Sequence, residues 1–241
     1  MKFHIITLFE EACDAYLRAS IIGRARKEKK ISVKYQTPRD FVAGPIGSYK
    51  KVDERPYGGG PGMVMMALPI VKAVQKSLKG LVNPTSDVGF TRPYMGGKKA
   101  VIVWFRPGAK QFTNKDADTL AKYSDVVLVC GRYEGIDERA KKILKTLVAG
   151  SPAQRVRVKE YAVGEAVYTG GEIPALAIVD AVARHLPGVL GKDASVEERR
   201  VASSAVYTRP ETILYKDKKY KVPKVLQTGN HAAIDKWRKE R

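Results

Sequence analysis

Cysteine is scarce: Cys13 and Cys130 are the only two in 241 residues. Two cysteines at that separation make neither a disulfide framework nor a metal-ligand spacing. Cys130 closes the apolar run DVVLVC and reads as a small core residue. Long apolar stretches are missing as well. The best, IPALAIVDAVA (residues 173–183), is broken by Asp180, so no segment is long enough to span a bilayer and no membrane partner is expected. The opening MKFHIITLFEE is apolar too briefly for a signal peptide and turns acidic at once, which leads to the expectation of a soluble, cytoplasmic protein. Acidic residues are also few: 25 Asp+Glu face 44 Lys+Arg, a net charge of +19. So one-sided a charge repels itself unless a polyanion accepts it. Basic runs recur at RARKEKK (24–30), RVRVK (155–159), KDKKYKVPK (216–224) and KWRKER (236–241). A lysine-rich solvated surface would give the same composition, but nucleic acid is the partner the balance favours.

With 44% hydrophobic residues, the chain can bury one large domain, or a large and a small one. KFHIITLF reads as a first buried strand, followed by one helix through EACDAYLRASIIGRARKE. KISVKYQT alternates as a strand, and a loop then runs through GPIGSYKKVDERPYGGGPG. MVMMALPIVKAVQKSL has helical spacing, broken or started by Pro69. AVIVWF and DVVLVC are short apolar strands, separated by a helix over TNKDADTLAKYS with a Thr or Asn cap. A further helix follows GIDER, then RVRVKEYAV, the YTGGE turn and a helix from about Pro174 to Arg184. Strands alternating with helices predict an α/β fold with a mainly parallel sheet. The pattern lapses into a linker over residues 188–204, and a small basic segment follows. No internal repeat is visible.

Three glycine-rich loops stand out. DERPYGGGPGMVMM carries Gly58, Gly59, Gly60 and Gly62 beside Pro56 and Pro61; without a following Gly-Lys-Ser/Thr it is no P-loop. CGRYEGIDER holds Arg132, Tyr133 and Glu134 between Gly131 and Gly135, which is not a dinucleotide fingerprint. Ligands of open α/β sheets nevertheless lie outside the carboxyl ends of the strands, where Arg132 and Glu134 fall. The alternative is an Arg–carboxylate network tying down a loop. The third is YAVGEAVYTGGEIPALAIVDAVARHLPGVLG, punctuated by Gly164, Gly170, Gly171, Pro174, Pro187, Gly188 and Gly191; a core helix with turns would explain IPALAIVDAVAR by itself.

Together RPYGGGPGMVM, LVCGRYEGIDER, YTGGEIPALAIVDAVAR, PGVLG, YTRPE and GNHAAIDKWR closely resemble the bacterial tRNA (guanine-N1)-methyltransferase family. The resemblance implies a trefoil-knotted SPOUT-type α/β domain, an exception to the rule that chains do not thread loops, plus a small C-terminal helical domain. It implies domains at 1–187 (cofactor-binding), 188–204 (linker) and 205–241 (a shortened, basic tRNA-binding domain). It also implies an obligate homodimer whose sites straddle the interface, S-adenosylmethionine as methyl donor, magnesium, and tRNA as substrate, methylated at the guanine immediately 3′ of the anticodon. Gly131 and Tyr133 would lie against the cofactor. Ala162, Val163, Gly164, Glu165, Ala166, Val167 and Tyr168 would cradle its adenosine through backbone groups, with Gly170, Gly171 and Pro174 beyond. Trp104, Phe105, Arg106 and Pro107 would supply a third wall. Glu134 matches the acidic residue linked to magnesium, and Arg184 the arginine that stabilises guanine O6.

The sequence departs from the family at one position that matters. The family's general base is a linker aspartate; aligning Ala194 and Ser195 in DASVEERRVASS with its motif places Arg199 there. Arginine cannot act as a base near neutral pH. Glu198, one residue away, is the best candidate, with Glu197 and Asp193 nearby. A non-catalytic dimer that binds tRNA and cofactor is the alternative that Arg199 favours. A knotted methyltransferase acting elsewhere on RNA is a third reading, disfavoured by PYGGGPG and YTRPE.

Overall fold

The apolar runs of the sequence become the strands of one parallel sheet. In the computed structural model, residues 1–45, 47–79, 82–84, 90–93, 99–149, 156–191 and 205–240 are described. The chain divides into two units, Met1–Val189 and Leu190–Arg241.

The first unit runs β1 (Lys2–Ile6), α1 (Glu10–Leu17), α2 (Ser20–Lys27), β2 (Ser32–Gln36), β3 (Asp53–Glu54), β4 (Val64–Met65), α3 (Ala67–Ser77), β5 (Val82–Pro84) and β6 (Phe90–Pro93). It continues with β7 (Ala100–Phe105), α4 (Asn114–Leu120), β8 (Asp125–Val129), α5 (Glu138–Ala149), β9 (Val156–Tyr161) and α6 (Glu172–Ala183). Five strands form the sheet in the order β2-β1-β8-β7-β9, every neighbouring pair parallel. The α/β class with a parallel sheet is therefore the one observed. β3–β4 and β5–β6 are separate short antiparallel pairs.

Both faces of the sheet are covered, which is why its central strands are continuous apolar runs rather than alternating ones. Val101, Val103, Val126 and Leu128 face a core shared with α1, α2, α4 and α6. Ile102, Trp104, Val127 and Val129 face the other, against α3 and α5. Thr113 settles the cap of α4: its hydroxyl accepts from the Asp116 amide, and the Asp116 carboxylate accepts from the Thr113 amide, a full capping box. Pro69 lies in the first turn of α3, where it starts the helix instead of breaking it.

One helix of the sequence reading is two. The chain breaks after α1 and restarts at Ser20, whose φ is +46°. Gly23 explains how the corner closes: a Cβ there would stand 1.9 Å from the Arg18 carbonyl oxygen. Asp14 ties the corner together, accepting from Arg18, from Arg26 at 2.8 Å and from the Tyr35 hydroxyl at 3.0 Å.

The second unit holds more than helix. β10 (Thr212–Tyr215) and β11 (Lys218–Lys221) form an antiparallel hairpin ahead of α7 (His231–Lys239). Asn230 caps α7 by accepting from the Ala233 amide at 3.2 Å, and the Tyr207 and Trp237 rings pack 6.2 Å apart. Among the described residues no helix is long and apolar enough to cross a membrane.

Candidate active site

β8, β7 and β9 lie side by side, and the chain leaving the carboxyl end of each lines one cleft of about 330 Å³. Such clefts are where open α/β sheets hold ligands, and the volume suits a small molecule. Phe105, Arg106 and Pro107 follow β7; Gly131, Tyr133 and Glu134 follow β8. Val163, Gly164, Ala166, Val167, Tyr168, Gly170 and Gly171 follow β9, and Pro174 comes from the first turn of α6. Arg132, Tyr161, Ala162 and Thr169 line it too; Ala162 was expected in the cradle and Arg132 beside a ligand, whereas the sequence singled out neither Tyr161 nor Thr169.

Two residues expected there are elsewhere. Trp104 is buried in the core on the α3–α5 face, because successive strand residues point to opposite sides of a sheet and Phe105 takes the cleft side. Glu165 is exposed beside Gly164, whose φ of +72° turns the loop, and does not line the cleft.

The wall after β8 is built by close passage of two chain segments. The Gly171 amide donates to the Gly131 carbonyl at 2.9 Å. A Cβ on Gly171 would stand 2.6 Å from Cys130 Cα, and one on Gly170 would meet Arg132 Nε at 2.6 Å. Glu172, buried at the start of α6, accepts from the Thr7 hydroxyl at 2.7 Å, and its other oxygen lies 3.1 Å from Arg132 Nε. That contact is an ion pair by distance but is not aligned as a hydrogen bond, and neither atom has another hydrogen-bond partner among the described residues. The Arg132 guanidinium stacks over Phe9 at 4.3 Å. An Arg–carboxylate network tying down the loop is thus what Arg132 makes; Glu134 stands apart from it. The sequence showed Glu172 only as the acid after two glycines, and a buried carboxylate has no signature of its own there.

The RPYGGGPG loop acquires a place as well. The Glu134 amide donates to the Met63 carbonyl at 3.0 Å, and Met65 and Asp137 continue the pairing with Gly135 and Met65 at 2.9 Å each. Gly62 has φ +81°, and a Cβ there would stand 2.5 Å from Glu134 Oε1. Only glycine lets this loop pass so close to the carboxylate. Tyr133, at φ +59°, is held half-exposed at the rim.

Chemically, the cleft offers apolar surface and backbone groups. Among the described backbone hydrogen bonds none uses an amide of residues 163–168, so these donors remain for a ligand. Cys130 is no nucleophile: burial pushes its thiol well up. Burial likewise raises the Tyr161 hydroxyl, helped by its bond to Asp116. A planar heterocycle held by main-chain groups fits this donor set, as S-adenosylmethionine requires. Magnesium fits more narrowly. Among the described residues no three possible ligands cluster, which leaves Glu134 as a single carboxylate for an ion that keeps most of its waters.

Arg184 is not in the cleft. It caps the far end of α6, its amide donating to the Asp180 carbonyl at 3.2 Å. At 1.5 Å per residue, Arg184 lies roughly 15 Å further along the helix axis than Pro174. Glu198 and Arg199 lie outside the described residues.

The family model described as tRNA (Guanine-1)-methyltransferase TrmD matches residues 1–241. The tRNA (guanine-N(1)-)-methyltransferase of Pasteurella multocida (strain Pm70) is 38% identical over 242 residues, covering 99% of this chain and 85% of the relative. The protein of that name from Haemophilus influenzae (strain PittGG) gives the same identity and coverage. The one from Actinobacillus pleuropneumoniae serotype 5b (strain L20) is 37% identical over 244 residues, 100% of this chain and 85% of the relative. With a cleft at the strand ends and kinship over the whole length, the chain belongs to the tRNA (guanine-1)-methyltransferase family and is a methyltransferase.

Proposed function

We propose that the protein transfers the methyl group of S-adenosylmethionine to N1 of the guanine immediately 3′ of the tRNA anticodon, in the cytoplasm and as a homodimer. The observation that carries this reading is the cleft at the ends of β8, β7 and β9, lined after β9 by Val163, Gly164 and residues 166–168, whose amides make none of the described backbone hydrogen bonds, in a chain of this family. Residues 1–187 hold the cofactor, 188–204 link, and 205–241 grip the tRNA. The knotted path belongs to the same reading, supported by the tight crossing of Gly170 and Gly171 over residues 130–132.

Bound in the cleft, S-adenosylmethionine supplies a methyl group already activated by its sulfonium, so the work of the protein falls on the guanine. N1 carries a proton, and removing it pushes negative charge onto O6. Glu198 takes that proton. Arg184, cationic at every working pH, holds O6. Glu134 holds magnesium, which would offset negative charge beside the substrate.

Arg184 and the cleft sit at opposite ends of α6, so the cleft of one protomer takes Arg184 from the second. The exposed apolar side chains Phe9, Tyr16 and Ile173, on or beside the adjoining α1 and α6, support such an interface.

The test is methyl transfer from labelled S-adenosylmethionine to an unmodified tRNA transcript, with the modified position mapped. Methyl on N1 of the guanine 3′ to the anticodon establishes the reading, and Glu198→Gln then abolishes turnover while sparing cofactor binding. Binding of cofactor and tRNA without product, at any pH or magnesium level, makes the protein a binding dimer in which Arg199 marks the lost base.

A further inference from the structure

In the second unit, Ile213 pairs with Tyr220 and Tyr215 with Lys218 across the β10–β11 hairpin. Cross-strand partners and next-but-one neighbours share a face. Ile213, Tyr215, Lys218 and Tyr220 therefore form one side of the ribbon; Thr212, Leu214, Lys219 and Lys221 form the other. The two turn residues, Lys216 and Asp217, are both left-handed, at φ +47° and +58°. A two-residue turn of this hand matches the strand twist and keeps the ribbon regular. Asparagine or glycine usually sits at such positions; this chain places a lysine at the tip.

Ile213 is 54%, Leu214 63%, Tyr215 61% and Tyr220 51% exposed. A two-stranded ribbon with large side chains bare on both sides is marginal in water by itself, so this one is suited to a partner. Its charge says which. Lys216, Lys218, Lys219, Lys221 and Lys224 stand against Asp217 alone between residues 212 and 224. The Lys218 ammonium lies 5.6 Å from the Tyr220 ring centre, and that of Lys216 5.7 Å from the Tyr215 ring centre. A protein-docking core is depleted in lysine. Rings interleaved with lysine are what unpaired nucleotides need: bases stack on the rings and phosphates meet the ammonium groups.

We propose that the β10–β11 ribbon is an RNA-contacting finger, with Tyr215 and Tyr220 stacking on unpaired tRNA bases and the flanking lysines neutralising backbone phosphates. It rests on the tRNA reading above and adds a stacking contact that net charge alone does not imply. Both tyrosines are exposed, so their replacement is expected to leave the fold and cofactor binding intact.

The experiment measures tRNA affinity of the full chain by fluorescence anisotropy at several salt concentrations, with methyl transfer assayed in parallel. Tyr215→Ser combined with Tyr220→Ser weakens tRNA binding by about tenfold or more at unchanged cofactor affinity, and phenylalanine at both positions restores it. Lys218→Ser with Lys219→Ser flattens the log–log salt dependence by about one for each phosphate no longer neutralised. The proposal is overturned if the double serine variant binds tRNA as the wild type does. It is overturned in favour of a protein contact if that variant changes sedimentation of the free protein instead. A wild-type chain that neither binds nor methylates tRNA sinks the tRNA reading itself, and this proposal with it.

Discussion

Gly171 has no room for a β-carbon, since one would stand 2.6 Å from Cys130 Cα, and backbone cannot yield as a side chain can. Gly171→Ala is expected to cost about 1–3 kcal/mol through overpacking, read as a lower melting temperature. The wall displaced is the one carrying Gly131, so calorimetry should also show weaker S-adenosylmethionine binding. Glu134 differs because its carboxylate is exposed and takes no part in the Arg132–Glu172 pair. Glu134→Gln is expected to bind cofactor as the wild type does yet lose about a hundredfold or more in turnover, together with any activation by magnesium in a titration. Equal loss of cofactor binding would mean that the Glu134 side chain, which borders the cleft, holds the cofactor and not the ion. Gly131, Gly170 and Gly171 were legible in the sequence as parts of the glycine-rich loops that line the cleft. Arg132 was legible only as one of two alternatives, because whether an arginine meets a ligand or a carboxylate depends on where Glu172 arrives from about 40 residues away.

The capping box of α4 shows how an element is held in register with the sheet. Asp116 bonds the Thr113 amide and hydroxyl, the Lys110 ammonium at 2.7 Å and the Tyr161 hydroxyl at 3.2 Å. Burial raises its carboxyl, but the bonds from Lys110 and Thr113 win and hold it below its ordinary value. The folded group is thus more acidic than the unfolded one, so its stabilisation is present above the unfolded pKa of about 4. It fades as the pH falls through the folded value. Asp116→Asn is expected to lose about 1–2 kcal/mol at neutral pH in urea unfolding. The gap from wild type should close below about pH 4; a gap that stays constant would mean that shape, and not charge, makes the cap. Secondary structure of this kind was readable locally, down to a Thr or Asn cap. The α1–α2 break was not, because the apolar spacing of residues 11–28 suits one helix and only packing of Gly23 on Arg18 requires two.

At the scale of the molecule, α6 separates the two parts that the proposed reaction calls for. Its first turn borders the cleft and its last presents Arg184, and no side chain spans the distance between them. Mixed dimers decide how the two meet. One protomer carries Arg184→Ala and an intact cleft; the other carries Gly171→Ala and an intact Arg184. If the arginine works across the interface, the mixture regains one functional site of two, about half the activity per dimer at a cofactor concentration too low to fill the Gly171→Ala cleft, although each variant alone is inactive there. If it works within its own chain, the mixture stays inactive. The family was legible from the resemblance of whole motifs; the sequence by itself determined the α/β class, the glycine-rich loops after β8 and β9 and the basic surface. Those are consequences of apolar period, glycine placement and charge, which are local or additive. Tertiary structure alone decided that Trp104 turns away from the cleft while Phe105 lines it, and that Arg132 is spent on Glu172 and Phe9. It also decided that TILYKDKKYK (212–221) is a ribbon with Tyr215 and Tyr220 on one side. Each of these depends on which face or which distant segment a side chain meets, and that is fixed only when the sheet is assembled.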